Sequence, residues 1–228
     1  MPGILGGIII ALIGYIWGSV PAGYWMGKLL RGRDFDIRDY GSHKIGATNV
    51  LRTLGRVPAI IVFLFDISKG VGPTLLAKLP VFSSLQGWAL TIAALTALIG
   101  HCYPVFIGFK GGRGVATGAG AILVVSPLTF LICMITTLST IAIWRYVSLG
   151  SIVGALTSIV CGIIFFFAGQ IAFVHLPQLV YLVVGPALVI IFHYDNIVRL
   201  LTGKERKIGQ KVQLSDGTSS TGSSTSHA

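Results

Sequence analysis

The sequence predicts an all-α integral membrane protein that crosses the bilayer several times. Hydrophobic residues make up 54% of its 228 residues and charged residues only 11%, and the mean hydropathy of +0.85 is far above that of a soluble domain. Several apolar runs also reach the roughly 20 residues that span a hydrocarbon core. The net charge is +10, but the cations collect in a few loops instead of covering one surface, so we expect no nucleic-acid partner.

The apolar runs predict about seven helices, one of them too short to span the bilayer unaided. The first run, 4–30, lacks the basic start and the small-residue cleavage site of a signal peptide, so we expect a spanning helix there. The long run 115–145 is interrupted by Ser126 and Pro127, which predicts a re-entry point or a tight turn rather than one straight helix. The predicted helical segments are 4–30, 57–79, 86–106, 115–126, 127–145, 148–168 and 175–192.

The distribution of cations predicts the orientation in the membrane. If the spans alternate, the loops 31–56 and 108–114, the region around Arg145 and the segment from Arg199 fall on one side, whereas the other side receives only Lys78. The positive-inside rule makes the cation-rich side cytoplasmic. We therefore expect the N-terminus outside and the C-terminus in the cytoplasm.

We expect one membrane domain over 1–214 and a disordered polar tail over 215–228. No repeat or long hydrophilic segment interrupts the domain, and the tail has no apolar residue able to pack. Cys102, Cys133 and Cys161 lie in apolar runs without C-x-x-C or metal-ligand spacing, so we expect neither a disulfide framework nor a metal site.

Two polar loops have the composition of phosphate-binding sites. Glycines let backbone N–H groups approach an anion, while hydroxyls and guanidinium groups donate to phosphate oxygens. In the first loop Gly41 and Gly46 fit G-x-x-x-x-G, but Ala47 and Thr48 follow where a nucleotide P-loop requires lysine and a hydroxyl, so a P-loop is excluded. A solvated cytoplasmic loop is the alternative interpretation. The candidate side chains of this loop are Ser42, Lys44, Thr48, Asn49 and Arg52.

The second loop places cations and glycines directly before a helix that is predicted to begin near Val115. A helix N-terminus adds unpaired N–H groups and positive dipole to such a loop, which favours a bound phosphate. The alternative is a tight turn in which Gly114 and Gly118 merely allow close helix packing, and both interpretations can hold together. The candidate residues of this loop are Lys110, Gly111, Gly112, Arg113 and Gly114.

A few further polar residues stand out in apolar surroundings. Asp66 and Lys69 are three residues apart on one helix face, so they can neutralise each other, either beside a polar cavity or as a pair that ties helices together. His101 is interpreted as a hydrogen-bonded structural histidine. His193 and Asn196 share a helix face at the cytoplasmic mouth, where they either anchor the interface or serve the site.

Taken in order, these motifs resemble the bacterial acyl-phosphate:glycerol-3-phosphate acyltransferases of the PlsY type. The resemblance covers about Gly18 to Glu205. Its motifs are G-S-V-P-A-G-Y at 18–24, D-I-R at 36–38, G-A-T-N-V-L-R at 46–52, D-I-S-K-G at 66–70, G-H at 100–101, Y-P-V-F at 103–106, G-F-K-G-G at 108–112, G-V-A-T at 114–117, Y-V-S-L at 146–149, His193, Asn196-Ile197 and Arg199-Leu200.

The chain departs from the usual pattern of this family in both loops. His43, Lys44 and Ile45 stand where the family usually has a glycine, an asparagine and a proline or small apolar residue. Arg113 stands where the family usually has lysine, which keeps the positive charge but changes the shape of the cation.

The resemblance implies transfer of a fatty acyl group from acyl phosphate to the 1-hydroxyl of glycerol 3-phosphate, which gives lysophosphatidic acid and phosphate. It implies a multi-pass protein of the bacterial plasma (inner) membrane, with its site on the cytoplasmic side. We expect a monomer without cofactor or metal. The catalytic residues that the resemblance implies are Ser42, Arg52, Arg113, His193 and Asn196, and the substrate-binding residues are Thr48, Asn49, Asp66, Lys69, Lys110, Gly111, Gly112, Gly114 and Thr117.

Two questions stay open at this point. The proton of the attacking hydroxyl goes either to His193 as a general base or to the phosphate of the donor, with the arginines positioning the reactants, and we favour the second route. An organic-phosphate or anion transporter is the alternative function, although transporters of that kind usually bind their cargo near the midplane of the bilayer. A non-catalytic descendant is a third possibility, based on the residues 43–45 alone.

Overall fold

The computed structural model describes residues 3–169 and 174–210, and these residues contain ten α-helices and no strand. The predicted all-α fold is confirmed, and the predicted tail 215–228 lies outside the described residues. The helices are α1 Gly3–Ser19, α2 Ala22–Arg31, α3 Ala47–Thr53, α4 Arg56–Leu76, α5 Trp88–Cys102, α6 Val115–Val125, α7 Pro127–Trp144, α8 Val147–Ala168, α9 Leu176–Ile191 and α10 Tyr194–Leu201.

Five segments of the described chain are long and apolar enough to cross a membrane. Helices α9 and α10 provide a sixth if they are counted as one span with a bend of 59°. Helix α6 is apolar but shorter. The five segments are Gly3–Arg31, Arg56–Leu76, Trp88–Ile107, Pro127–Trp144 and Val147–Ala168.

Two prolines divide apolar runs into separate helices. Ser126 is extended, with φ −151° and ψ 90°, and Pro127 begins α7, so the run 115–145 forms two helices as the sequence predicts. The first run is also divided, which the sequence analysis did not predict. Val20 and Pro21 separate α1 from α2, because proline has no N–H to continue the helical ladder.

Close helix contacts hold the bundle together. Helix α1 lies against α5, and α4 lies against α6. A Cβ at Gly18 would collide with the carbonyl of Ala97 in α5, and a Cβ at Gly70 would collide with the carbonyl of Thr117 in α6. Glycine is therefore required at these two positions for the backbones to approach as they do.

The two polar loops meet at one end of the bundle. Arg38 of the first loop pairs with Asp36 at 2.7 Å, and its Nη1 donates a 2.9 Å hydrogen bond to the carbonyl of Ile107, beside the second loop. The short helix α3 continues the first loop, so the polar residues on α3 face the same end of the bundle as Arg113.

Candidate active site

A cavity of about 280 Å³ lies between the two polar loops and helices α6 to α9. One end is polar and is formed by the loops, α3 and the start of α10. The other end extends between α7, α8 and α9 and is apolar. Its apolar lining includes Phe130, Met134, Leu138, Ile141, Val147 and Ala155. The predicted site residues that line the cavity are Ser42, Thr48, Asn49, Arg52, Asp66, Arg113, Gly114, His193 and Asn196.

Asn49 holds the first loop in shape. Its buried side chain accepts a 2.9 Å hydrogen bond from the backbone N–H of Ser42 through Oδ1. Its Nδ2 donates to the carbonyls of Ile37 and Tyr40 at 3.1 Å and of Lys44 at 2.8 Å. These partners all belong to the loop backbone, so the predicted substrate-binding residue Asn49 also fixes the position of Ser42.

Residues 43–45, which differ from the usual family pattern, fit the loop. His43 adopts a left-handed conformation with φ 56°, where glycine is favoured, and a hydrogen bond of 2.8 Å joins its Nδ1 to the carbonyl of Arg38. Ile45 is only 2% exposed and packs with Val50 and Ala59. The histidine and isoleucine therefore anchor the loop on both sides of Lys44.

The second loop is tied to the end of α5. The N–H groups of Gly111 and Gly112 donate 3.1 Å hydrogen bonds to the carbonyls of Cys102 and His101. A left-handed Gly114, with φ 81°, then turns the chain into α6, and Val115 lines the cavity next to it. The first amides of a helix have no intrahelical acceptor, so an anion at this end of the cavity would meet several donors.

Two arginines give the polar end its positive charge. Burial lowers the pKa of Arg113 to about 10, which leaves it charged at neutral pH, and its Nε has no hydrogen-bond partner among the described residues. Burial also lowers the pKa of Arg52, whose Nη2 donates to the carbonyl of Arg206 at 3.4 Å. Weakly paired guanidinium groups of this kind are suited to a phosphate.

Glu205 is a site residue that the sequence analysis missed. Its Oε1 accepts 2.8 Å hydrogen bonds from Ser148 Oγ and Asn196 Nδ2, and its Oε2 accepts one of 2.8 Å from Arg199 Nε. Burial alone would raise the pKa of Glu205, but hydrogen bonds from Arg199, Asn196 and Ser148 lower it overall. No local signal marks this residue, because the surrounding sequence G-K-E-R-K reads as a solvated segment.

His193 and Asn196 present acceptors to the cavity. His193 is buried, and a hydrogen bond of 2.7 Å joins its Nδ1 to the carbonyl of Val189. A neutral ring with its proton on Nδ1 keeps Nε2 free as an acceptor. Asn196 donates to Glu205, while its Oδ1 is unpartnered within the described chain. Both residues can therefore accept hydrogen bonds from hydroxyl groups.

Asp66 forms part of the cavity wall and pairs with Lys69. Lys69 Nζ lies 2.6 Å from Asp66 Oδ1, so the predicted neutralisation is confirmed. His101 Nδ1 lies 3.6 Å from the same oxygen, and Thr117 Oγ donates a 2.9 Å hydrogen bond to the Asp66 carbonyl. Asp66 and His101 line the cavity, whereas Lys69 and Thr117 lie behind them, fully buried.

A second cavity of about 720 Å³ lies beside the first. The predicted substrate-binding residues Lys110, Gly111 and Gly112 line this cavity and not the first. Its wall also includes Asp36, Arg38, Asp39, His43 and Lys44. Residues 3–169 and 174–210 contain no group of three or more His, Cys, Asp or Glu side chains placed to hold a metal ion.

The sequence matches known proteins over nearly its whole length. The profile of the family described as "Glycerol-3-phosphate acyltransferase" matches residues 8–203. A glycerol-3-phosphate acyltransferase of Parasynechococcus marenigrum (strain WH8102) is 42% identical over 216 residues, which are 93% of this chain and 94% of that protein. One of Thermoanaerobacter pseudethanolicus (strain ATCC 33223 / 39E) is 38% identical over 207 residues, with 91% and 98% covered.

Two solved structures share the fold. A crystal structure of PlsY, an integral membrane glycerol 3-phosphate acyltransferase in its glycerol 3-phosphate form, has a TM-score of 0.77 at 38% identity and covers 89% of this chain and 96% of that one. The lysophosphatidic acid form of PlsY has a TM-score of 0.74 at 39% identity, with 90% and 96% covered. The family and the class of reaction that the sequence predicts are thus confirmed, and the chain belongs to the glycerol-3-phosphate acyltransferase family.

Proposed function

We propose that this membrane acyltransferase moves a fatty acyl group from an acyl phosphate to the 1-hydroxyl of glycerol 3-phosphate. The products are lysophosphatidic acid and inorganic phosphate. The observation that carries the proposal is the two-ended cavity, in which arginines and hydrogen-bonding groups stand at one end and an apolar channel begins at the other. A reaction between a phosphorylated acceptor and a lipid-like donor needs both ends at once.

The polar end suits glycerol 3-phosphate. We assign its phosphate to Arg52 and Arg113, two weakly paired guanidinium groups of this end. The glycerol hydroxyls would donate to Asn196 Oδ1 and to Nε2 of His193, and Ser42 would complete the site from the first loop. Glu205 positions Asn196 and does not itself need to touch the substrate.

The donor lies where the apolar channel meets the start of α6. Its acyl chain occupies the channel, and its phosphate faces the amides near Gly114 and the charge of Arg113. The 1-hydroxyl oxygen attacks the carbonyl carbon, a new ester C–O bond forms, and the bond from that carbon to the phosphate oxygen breaks. The departing phosphate takes the hydroxyl proton, so the protein contributes mainly by positioning and by stabilising negative charge.

The decisive experiment measures phosphate release from synthetic palmitoyl phosphate by the purified protein. We expect release that depends strictly on glycerol 3-phosphate and that yields one lysophosphatidic acid for each phosphate. Palmitoyl-CoA in place of palmitoyl phosphate should give no product. Release without glycerol 3-phosphate, or equal use of palmitoyl-CoA, would contradict the proposal.

Replacement of His193 by alanine distinguishes the two routes for the proton. In the substrate-assisted route His193→Ala weakens glycerol 3-phosphate binding and leaves part of the turnover at saturation. Loss of turnover with unchanged glycerol 3-phosphate affinity would instead make His193 the general base.

We also propose that the chain lies in the bacterial plasma (inner) membrane with this site on the cytoplasmic side, and that it acts as a monomer. The one-sided distribution of cations supports the orientation, and all site residues come from one chain. Because Cys102, Cys133 and Cys161 are buried, single cysteines at the exposed positions Arg33 and Lys78 can report the topology. A membrane-impermeant maleimide should label Lys78→Cys in intact cells and Arg33→Cys only after lysis.

A further inference from the structure

The two cavities described above share one lining residue. The first is lined by the proposed catalytic groups, and the second by Arg38, Lys110 and the loop glycines. Among the described residues, Lys44 alone belongs to both linings. Lys44 therefore lies at the junction of the two cavities.

Lys44 has a fixed backbone and an ammonium group that is not neutralised within the described chain. Its carbonyl accepts a hydrogen bond from Asn49, and the neighbouring residues His43 and Ile45 are anchored to the Arg38 carbonyl and in the core. The Lys44 side chain is half-buried, and no ion pair or hydrogen bond engages its Nζ within the described chain. A cation on a fixed backbone with no partner of its own is available for an anion.

The second cavity has an excess of available positive charge. Asp36 forms a bidentate pair with Arg38, and Asp39 has no ion pair within the part of the chain that the structure describes. Lys44 and Lys110 face the same space from the two polar loops. The charges of the wall thus attract small anions, while its apolar part is supplied by Tyr103, Ile107, Phe109 and Phe192.

We propose that the second cavity is a phosphate antechamber, in which Lys44, together with Lys110, binds the phosphate group of a water-soluble compound on its way to or from the catalytic cavity. The inference rests on the proposed function, since that reaction consumes glycerol 3-phosphate from water and returns inorganic phosphate to it. The lipid-like donor and product use the apolar end and have no need of this route. In this proposal Lys44 is a binding residue, and the neutral asparagine that is usual in the family at this position could not supply its charge.

The test compares Lys44→Asn with two reference variants. Lys44→Arg keeps the charge, and Lys204→Asn removes one exposed lysine that lines neither cavity. With saturating palmitoyl phosphate, the KM for glycerol 3-phosphate and the inhibition constant of inorganic phosphate are measured at fixed ionic strength. We expect Lys44→Asn to raise these constants by about 10-fold or more, as loss of one charge-assisted hydrogen bond does, and Lys44→Arg and Lys204→Asn to stay near wild type. Lys110→Asn should act in the same direction as Lys44→Asn.

The outcomes separate the possible phosphate sources. A rise in the KM alone assigns the antechamber to the entering acceptor, and a rise in the inhibition constant alone assigns it to the leaving phosphate. If Lys44→Asn and Lys204→Asn have the same KM for glycerol 3-phosphate and the same inhibition constant of inorganic phosphate, the inference is overturned. The proposed function still stands in that case, because the wild type turns over its substrates. If the wild type shows no turnover, the proposed function fails. Equilibrium binding of radiolabelled inorganic phosphate then decides, because equal binding by wild type and Lys44→Asn overturns the role of Lys44.

Discussion

Asn196 and Glu205 are joined by a 2.8 Å hydrogen bond from Nδ2 to Oε1, across nine residues that include the end of α10. The same carboxylate accepts hydrogen bonds from Ser148 on α8 and Arg199 on α10. The segment after α10 continues across the bundle, where the N–H of Ile208 donates to the carbonyl of Arg145 at 2.8 Å. Glu205 thus fixes the side of the cavity that holds the proposed acceptor hydroxyls.

Replacement of Glu205 by alanine should impair acceptor binding. Without the carboxylate, Asn196 and Arg199 lose their common partner and Asn196 Oδ1 is free to turn away from the cavity. We expect a KM for glycerol 3-phosphate at least about 10-fold higher and a lower melting temperature in detergent. Glu205→Gln keeps one acceptor and should lie between alanine and wild type. An unchanged KM in Glu205→Ala, with Lys204→Ala as the control, would contradict the positioning role.

The same carboxylate makes a pH-dependent contribution to stability. The folded-state pKa of Glu205 lies below its ordinary value of 4.5, so the contribution is present above pH 4.5 and is lost as the pH falls through the lowered value. Glu205→Gln imitates the protonated form. The difference in melting temperature between wild type and Glu205→Gln should therefore be constant above pH 4.5 and should shrink below it. A difference that stays constant down to the acid limit would refute this interpretation.

Asn49 should be sensitive to any replacement. Its side chain is only 1% exposed and serves four backbone groups of the first loop. Asn49→Ala leaves these groups unpaired and should lower the free energy of unfolding by about 2 kcal/mol. Turnover should fall as well, because Ser42 depends on this loop. Thr48→Ala on the same helix is the matched control for stability, measured by thermal unfolding in one detergent.

Arg113 should tolerate lysine near neutral pH but not at high pH. Burial lowers the pKa of Arg113 to about 10, and the same site would lower the pKa of a lysine from a smaller ordinary value. Arg113→Lys should therefore turn over at pH 7 within a few-fold of wild type and lose glycerol 3-phosphate affinity at a lower alkaline pH. Arg113→Met should have little activity at any pH. If wild type and Arg113→Lys lost glycerol 3-phosphate affinity at the same alkaline pH, the result would argue against a role of the Arg113 charge.

The apolar channel should determine which acyl chains are accepted. Met134 lies in the channel wall on α7, whereas Leu131 on the same helix is 55% exposed on the outside. Met134→Trp should reduce turnover of palmitoyl phosphate more than that of octanoyl phosphate, because the larger ring shortens the available space. Leu131→Trp should leave the ratio of the two rates unchanged. Equal losses for both chain lengths in Met134→Trp would place the acyl chain elsewhere.

Hydropathy and breaker residues were sufficient to predict most of the fold. The seven apolar segments are helical, and the break at Ser126 and Pro127 is where the sequence predicts it. The break at Pro21 was missed because the surrounding run stays apolar on both sides. Helix α3 was missed for the opposite reason, since its seven residues include only Val50 and Leu51 as larger apolar side chains, too few for an apolar periodicity.

The candidate site was predicted less completely than the fold. Residue type alone indicated Arg52, Arg113 and the loop glycines, because few chemistries other than phosphate binding combine them. Residue type does not say where a side chain points, so the division of Lys110 and Arg113 between two cavities required the structure. Glu205 could not be found from sequence, because its hydrogen bond to Ser148 spans 57 residues and leaves no local pattern.

The glycine contacts of the bundle have a consequence for exchange with the bilayer. At Gly18 and Gly70 the backbones are so close that α1 with α5, and α4 with α6, leave no passage for a hydrocarbon chain. Gly150 and Gly154 bring α8 just as close to α7, so we expect the fatty chain of the proposed donor to enter elsewhere around the cavity, in the plane of one leaflet. Under the proposed reaction, two-dimensional diffusion instead of desorption into water would carry the donor and the product, and bilayer viscosity and lipid composition would become kinetic variables of the enzyme.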